Sequence, residues 1–153
     1  MNNKKPKPIG RTIKLCRQYN GLSQSELGKK VGFAKKTAGT CIGQYEGERI
    51  YAKPQITAKL ARLLGIHRFA ISRLSVNSEL ETLHTIFKID MLYGFNWSKN
   101  GDVVSLSFPD NCKTVNRHLK KVYEARQALM RGEITYDDYN HIKNACGTYK
   151  KRK

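Results

Sequence analysis

The chain has 153 residues, of which 39% are hydrophobic, and its 29 Lys and Arg residues against 12 Asp and Glu residues give a formal net charge of +17. This length predicts one domain or a small module with an appendage and excludes a large multi-domain enzyme, while the hydrophobic content excludes wholesale disorder. No run approaches the roughly 18 apolar residues of a membrane span, and no apolar signal region follows the basic start, so we expect a cytoplasmic protein with no membrane partner.

Charge is distributed unevenly along the chain. Residues 1–75 hold 16 basic and 3 acidic residues (net +13), whereas residues 76–153 hold 13 and 9 (net +4). Within the second half, residues 78–112 hold 2 basic and 5 acidic residues. A surplus of Lys and Arg indicates a polyanionic partner, because neutralised phosphates release condensed counterions. From charge alone, a merely soluble basic surface and contact with acidic lipid stay open as alternatives.

The first half has the pattern of five short helices. Ser23 and Glu26 match a capping box at a helix start, and Gly32 permits the positive φ that the end of that helix demands. The first helix is predicted from apolar residues at helical spacing: Ile9, Ile13, Cys16 and Tyr19. The remaining helices are expected from Lys35 or Thr37 to Glu46, from Pro54 to Leu64, and from about Arg68 to Leu74.

The second half begins with a further capping box, Ser78 to Glu81, and mixes helices with strands. Its first helix carries one apolar stripe and runs to about Leu92: Leu80, Leu83, Phe87 and Met91. Alternating segments at 93–97 and 104–108 flank Asn100-Gly101 and predict a β-hairpin. A helix is expected over 114–131, and its inward-facing side chains are predicted to be Val115, Leu119, Val122, Tyr123 and Leu129. Thr135 to Asp138 caps a last helix with Tyr139, Ile142 and Cys146.

These elements predict a mainly α fold, in which a helical domain is followed by a small α+β region of one helix, a β-hairpin and two helices. The predicted divisions are a basic N-terminal arm at 1–8, a helical domain at 9–75, a C-terminal dimerisation or partner region at 76–149, and a basic tail at 150–153. The arm would reach along a duplex; an ordinary unstructured terminus is the alternative.

The stretch from Ile9 to Ile66 resembles the helix-turn-helix domain of the phage repressor and Cro-like family, also called the XRE class. The matching residues are Ile9-Gly10, Ile13, Arg17, Gly21-Leu22-Ser23-Gln24, Glu26-Leu27-Gly28, Val31-Gly32-Phe33, Ile42-Gly43-Gln44-Tyr45-Glu46, Pro54, Leu60-Ala61 and Leu64-Gly65-Ile66. The resemblance implies a five-helix domain whose third helix enters the major groove of DNA.

The resemblance also implies roles for individual residues. Gln24, at the start of the second helix, is expected to contact a phosphate. Gly28, as a small residue, and Gly32, as the turn residue, are expected to let the second helix pack against the third. Gln44 is the best candidate for a base edge, since an amide pairs bidentately with adenine. The lysines and the arginine among the remaining candidates are expected to contact phosphates. The other candidate DNA-binding residues are Thr40, Cys41 and Gly43 on the same face, and Lys35, Lys36, Thr37, Arg49 and Lys53 around it.

One departure from the family pattern lies between Gly32 and Tyr45, where this chain has about three more residues. Residues 34–40 therefore form either an extended third helix or a longer turn, which leaves the groove roles of Lys35 to Thr37 open. Gly39 and Gly43 weaken a helix by about 1 kcal/mol each against alanine. They fit either a close approach of the backbone to DNA or loose packing.

Other residues are interpreted structurally. Arg17, Lys29 and Lys30 are expected to lie on solvated helix faces, and Ile42 and Tyr45 to anchor the third helix in the core. Four cysteines and four histidines show no ligand spacing, so we expect no metal and no cofactor, and Cys16 to behave as a small buried hydrophobe. No pattern assembles a nucleophile with a base, so we expect no enzyme.

The C-terminal half is similar to uncharacterised regulators of low-GC Gram-positive bacteria and their mobile elements. The similarity lies in residues 83–94 and 128–139 and implies no ligand. Helix-turn-helix proteins usually bind twofold sites, so this half is expected to pair two protomers or to hold a partner. Its aromatic alternation, Tyr93, Phe95 and Trp97 facing Val104, Leu106 and Phe108, is either that interface or an intramolecular core.

The sequence therefore predicts a sequence-specific regulator of transcription that binds double-stranded DNA, a repressor that acts as a homodimer on a pseudo-palindromic operator near the bacterial nucleoid. The alternative is an antitoxin-like or other interaction module that binds a protein through its C-terminal half and regulates its own gene. An RNA-binding protein is less favoured, because the basic half lacks an aromatic stacking platform.

Overall fold

The computed structural model describes residues 8–73 and 78–147. The predicted arm, apart from Pro8, the end of the predicted fifth helix at Leu74, and the basic tail lie outside the described residues. The α-helices are α1 Pro8–Tyr19, α2 Gln24–Val31, α3 Ala38–Glu46, α4 Pro54–Leu64, α5 Glu79–Tyr93, α6 Lys113–Met130 and α7 Tyr136–Asn144. A short 3₁₀ helix, Arg68–Ile71, follows α4, and the strands β1 Asn96–Asn100 and β2 Val103–Ser107 follow α5. The predicted mainly α fold with a small antiparallel hairpin is confirmed.

Two compact units divide the described chain. Unit 1 comprises residues 8–73 and 125–147, and unit 2 comprises residues 78–124. The part of the predicted region 76–149 that begins at Ala125 therefore belongs to unit 1, because α7 packs against α1. The ring of Tyr19 stacks on that of His141 with centroids 4.5 Å apart, and the His67 amide donates to the Asn144 carbonyl at 2.9 Å.

The core of unit 1 lies between α1, α2, α3 and α4. The buried apolar side chains come from the faces that the helical spacing predicts, and they include Ile13, Cys16, Leu27, Val31, Ile42, Tyr45, Leu60 and Leu64. Each fully buried Leu or Ile stabilises the fold by roughly 1.5–3 kcal/mol. Ile42 and Tyr45 lie in the core as expected, so α3 is fixed by one face and leaves the other open.

The capping residues set the ends of α2. The Ser23 hydroxyl accepts from the Glu26 amide while the Glu26 carboxylate accepts from the Ser23 amide, which is the predicted capping box. Gly32 ends the helix with φ 107°, a left-handed conformation that a side chain disfavours. Residues 33–37 then form a turn, and α3 begins at Ala38, so of the segment 34–40 the first four residues belong to a longer turn and the last three to the helix.

Unit 2 consists of α5, the hairpin and the first part of α6. Ser78 caps α5 by accepting from the Glu81 amide, and Gly94 ends it with φ 67°. Because α5 runs to Tyr93, the first strand begins at Asn96, three residues later than the predicted segment 93–97. The strands pair antiparallel around Gly101-Asp102, with Trp97 opposite Leu106.

The predicted inward face of α6 is corrected by the structure. Leu119 and Tyr123 are exposed, whereas Val115, Val122 and Leu129 are half-buried. The stripe residues of α5, for which the sequence predicted only a shared side of the helix, are exposed. Periodicity identifies an apolar side of each helix, but it does not say how far the rest of the chain covers that side.

Candidate nucleic-acid interface

The junction of α2 and α3 depends on glycine at the crossing. A Cβ built on Gly28 would lie 2.6 Å from the carbonyl carbon and 2.8 Å from the Cα of Ala38, and closer still to its carbonyl oxygen. No side chain fits there, because the obstacle is backbone. The two helices therefore approach each other closely, and the turn between them places α3 on the surface.

The two sides of α3 differ in burial. Ala38, Ile42 and Tyr45 are buried, which turns Thr40 and Gln44 to the other side and leaves Cys41 beside the buried side. Thr40 is exposed, and Cys41, Gly43 and Gln44 are half-buried. Of the candidate reading residues of α3, Thr40 and Gln44 thus lie away from the core. We call this outer side of α3 the open face.

An ion pair that the sequence did not predict anchors the end of α3. Arg17 of α1 donates from Nε to Glu46 Oε1 at 2.5 Å and from Nη2 to Glu46 Oε2 at 3.2 Å. Its Nη1 donates to the Leu22 carbonyl at 2.7 Å. The side chains of Arg17 and Glu46 are only 10% and 6% exposed. The expectation that Arg17 is solvated is therefore wrong, since a buried cation with these three bonds is a structural element.

Gln24 belongs to the same network. Its Nε2 donates to Glu46 Oε2 at 2.8 Å, and its amide group lies beside Gly43, whose added Cβ would sit 3.5 Å from Gln24 Oε1. The structure thus links the first residue of α2 to the last residue of α3. These two contacts hold the Gln24 side chain in one orientation.

Basic residues surround this region, and the acidic ones are engaged. Residues 8–73 hold 13 basic and 3 acidic residues. Glu26 caps α2, and hydrogen bonds from Ser23 lower the pKa of its carboxyl group. Glu48 accepts from the Gly10 amide at 2.8 Å, and Glu46 is paired as above. The exposed cations among the predicted site residues are Lys35, Lys36, Arg49 and Lys53.

Thr37 and the lysines beside it lie in the turn before α3, not in the helix. Thr37 occupies the position preceding α3, and its hydroxyl donates to the Ala34 carbonyl at 3.3 Å rather than capping an α3 amide. Lys35 and Lys36 are exposed in the same turn, and Lys29 and Lys30 are exposed on α2 as expected. The structure therefore places Lys35 to Thr37 before the open face rather than on it.

The cysteines and histidines do not form a metal site in the described part of the chain. No group of three or more His, Cys, Asp or Glu side chains converges there. Cys16 is buried under α7, and burial raises the pKa of its thiol to about 11. It behaves as the predicted small hydrophobe. Across residues 8–73 and 78–147, no helix is long and apolar enough to cross a membrane.

The chain was compared with protein families, curated proteins and solved structures. No protein-family model and no curated protein matches the chain. Among solved structures, the crystal structure of transcriptional regulator BswR is 25% identical and covers 55% of this chain and 95% of its own, with a TM-score of 0.40.

Proposed function

We propose that the chain is a sequence-specific transcriptional regulator that binds double-stranded DNA, and that it acts as a repressor. The observation that carries the proposal is the open face of α3, which presents Thr40 and Gln44 outward while Ile42 and Tyr45 hold the helix in the core. A rigid helix on the surface of a basic domain fits the width of the major groove.

Charge supports the same assignment. All three acidic side chains of residues 8–73 bond within the protein, whereas Lys35, Lys36, Arg49 and Lys53 are exposed. Phosphate contacts position a protein on a duplex, and base contacts then supply specificity. We propose these four cations as phosphate contacts and Gln24 as a further one, aided by the positive end of α2.

Repression would follow from occlusion. A homodimer on a pseudo-palindromic operator would cover a promoter and exclude polymerase, and no catalytic step is needed. The antitoxin-like alternative would instead require a second polypeptide that purifies with this chain.

Selection of bound sites from random duplex DNA tests the proposal directly. We expect a recurrent sequence with two inverted half-sites, recovered at a stated salt concentration because phosphate contacts make affinity depend on salt. A variant in which Lys35, Lys36, Arg49 and Lys53 are all alanine serves as the control, because it keeps α3 and removes the cations. No enrichment by the unaltered protein would contradict the proposal.

Replacing Gln44 with alanine should relax the sequence preference by roughly 1–3 kcal/mol at one base pair per half-site. The reason is that a side-chain amide reads a base edge with a donor and an acceptor, and alanine offers neither. Binding of the variant to operators altered one base pair at a time measures the effect. Gln55→Ala, an exposed glutamine on α4, is the matched control and should leave the preference unchanged. Equal discrimination by Gln44→Ala and the parent would contradict the role of Gln44.

Replacing Lys53 with alanine should weaken binding to all sequences alike and lower the salt slope by about one unit. A phosphate clamp contributes through counterion release and carries no base information. Titration of a specific and a random duplex over a range of salt concentrations measures both effects. Lys14→Ala on α1 is the control, since Lys14 is exposed but was not predicted to contact DNA. A loss confined to the specific duplex would contradict the role of Lys53.

A further inference from the structure

The first part of α6 carries a row of cations on one side. Arg117 follows Lys113 by four residues, and Lys120 and Lys121 follow Arg117 by three and four, which is the spacing at which side chains of a helix share a face. All four side chains are exposed. We call this side the basic face of α6, and it consists of Lys113, Arg117, Lys120 and Lys121.

These charges lie where they destabilise the helix of the free protein. The N-terminal end of a helix has a partial positive charge and favours acidic residues, but the first turn of α6 holds Lys113 and no acidic residue. Arg117 lies about one turn from each of the other three cations, and like charges at this spacing repel. None of the ion pairs within residues 8–73 and 78–147 includes Lys113, Arg117 or Lys121. Three of the four cations therefore repel one another without an acidic partner in the described chain.

The one acidic residue of α6 offsets little of this charge. Glu124 Oε1 lies 4.0 Å from Lys120 Nζ, and the two side chains are 61% and 79% exposed, so water screens the pair. Residues 113–124 keep a net charge of +3. The other helices of this half, α5 and α7, do have acidic residues in their first turns. A departure from local stability, such as the one in α6, is expected at a functional site.

A nucleic-acid duplex matches the basic face in charge and in form. Residues 113–121 span about 12 Å of helix, and a duplex carries about seven negative charges over that length of its axis. Phosphates beside the cations would remove both the repulsion among them and the unfavourable position at the helix start. A helix that lies in a lipid surface needs a free apolar side to insert, whereas Val115 and Val122, which lie away from the basic face, are half-buried.

We propose that the basic face of α6 binds the phosphate backbone of duplex DNA, in addition to the contacts of the open face and of the cations around it. The C-terminal half of the chain thus contributes to DNA affinity and not only to protein contacts. Cations on phosphates carry no base information, so the basic face adds affinity without sequence preference. This inference rests on the proposed function, since it takes the same duplex as the ligand.

Two arginines of α6 provide a matched test. Arg117 lies within the basic face. Arg126 lies nine residues further along, which is about two and a half turns and places it on the other side of the helix. Both are exposed. Arg117→Gln and Arg126→Gln each remove one charge from the same helix and keep a residue of good helix propensity. They differ in the side of the helix that loses the charge.

The first measurement is the affinity of the full chain for a selected duplex and for a random duplex over a range of salt concentrations. Arg117→Gln should weaken binding to both duplexes alike and lower the salt slope by about one unit, because one phosphate contact is lost. Lys113→Gln combined with Arg117→Gln should lower the slope by about two units. Arg126→Gln should leave the slope unchanged.

The second measurement is thermal unfolding of the DNA-free protein at low salt. Arg117→Gln should unfold at the same temperature as the parent or at a slightly higher one, because three neighbouring cations lose a like charge. An arginine that serves the fold would give the reverse. Weaker binding together with undiminished stability is the result expected of a residue that contacts a ligand.

Three outcomes would overturn the proposal. The first is the same salt slope for Arg117→Gln, Arg126→Gln and the parent. The second is weaker binding by Arg117→Gln together with a lower unfolding temperature, which would make Arg117 a structural residue. The third is binding to phosphatidylglycerol vesicles that depends on Arg117 when duplex binding does not, which would assign the face to a lipid surface.

Failure of the proposed function gives a different result. Duplex binding that depends on Arg117, but shows no sequence preference and no effect of Lys53→Ala, would contradict the proposed function and leave this inference standing. Sequence-specific binding that depends on Lys53 but not on Arg117 would do the opposite.

Discussion

Arg17→Ala is expected to lower the free energy of unfolding by about 3–5 kcal/mol, because it leaves the carboxylate of Glu46 buried without its cation. Glu46 is the last residue of α3, and the lost bonds would also release the Leu22 carbonyl in the connection between α1 and α2. Chemical denaturation followed by circular dichroism measures the effect. A change this large is a substantial fraction of the whole free energy of unfolding of a domain of this size.

Arg11→Ala is the matched control, because Arg11 is an exposed arginine on the same helix. Its replacement should change the free energy of unfolding by no more than about 0.5 kcal/mol. Replacing both partners, as Arg17→Met with Glu46→Leu, should recover much of the loss, since no charge then stays buried. If Arg17→Ala were as mild as Arg11→Ala, the ion pair would not anchor α3.

Gly28→Ala should cost about 3 kcal/mol or more, at the upper end of the range for overpacking. The added methyl group would collide with the backbone of Ala38, and backbone cannot change rotamer to make room. The helices α2 and α3 must therefore separate, which would also displace the open face. We expect a lower denaturation midpoint and, in the protein that still folds, weaker binding to the selected DNA.

Gly43→Ala tests whether glycine itself or its location matters. An added Cβ there meets only the end of the Gln24 side chain at ordinary contact distance, and Gly43 lies inside α3. The same substitution should therefore stabilise the protein by up to about 1 kcal/mol through helix propensity. Similar effects at Gly28 and Gly43 would show that the crossing does not require glycine.

Local signals explain why the helices could be predicted. The Ser23 and Thr135 caps, Gly32 and Gly65 act over a few residues, and their sequence patterns correspond to the observed helix ends. The boundary at the hairpin was wrong because residues 93–97 alternate like a strand, although Tyr93 still belongs to α5 and Gly94 ends it. Two local patterns competed there, and the helix extended further.

Long-range pairing explains what could not be predicted. Arg17 lies on the core side of α1. A charged residue is predicted to be solvated unless its partner is known, and the partner of Arg17 lies 29 residues away. The stripe of α5 was correctly placed on one side of a helix, yet periodicity does not say what covers that side. The predicted DNA contacts of Gln44 and Lys53 stay predictions, since they depend on a molecule outside the chain.

The packing of α7 on α1 has a consequence for synthesis. The side chains Leu15, Cys16 and Tyr19 meet Asp137, Asn140 and His141, which the ribosome adds well over 100 residues later. At about 5–20 residues per second, the flank of α1 stays uncovered for several seconds after the rest of the helical core has emerged. Each nascent chain therefore passes through a stage at which this flank of α1 is exposed, and neighbouring chains on one messenger expose it at the same time. A chain that ends before α7 would keep the flank exposed permanently.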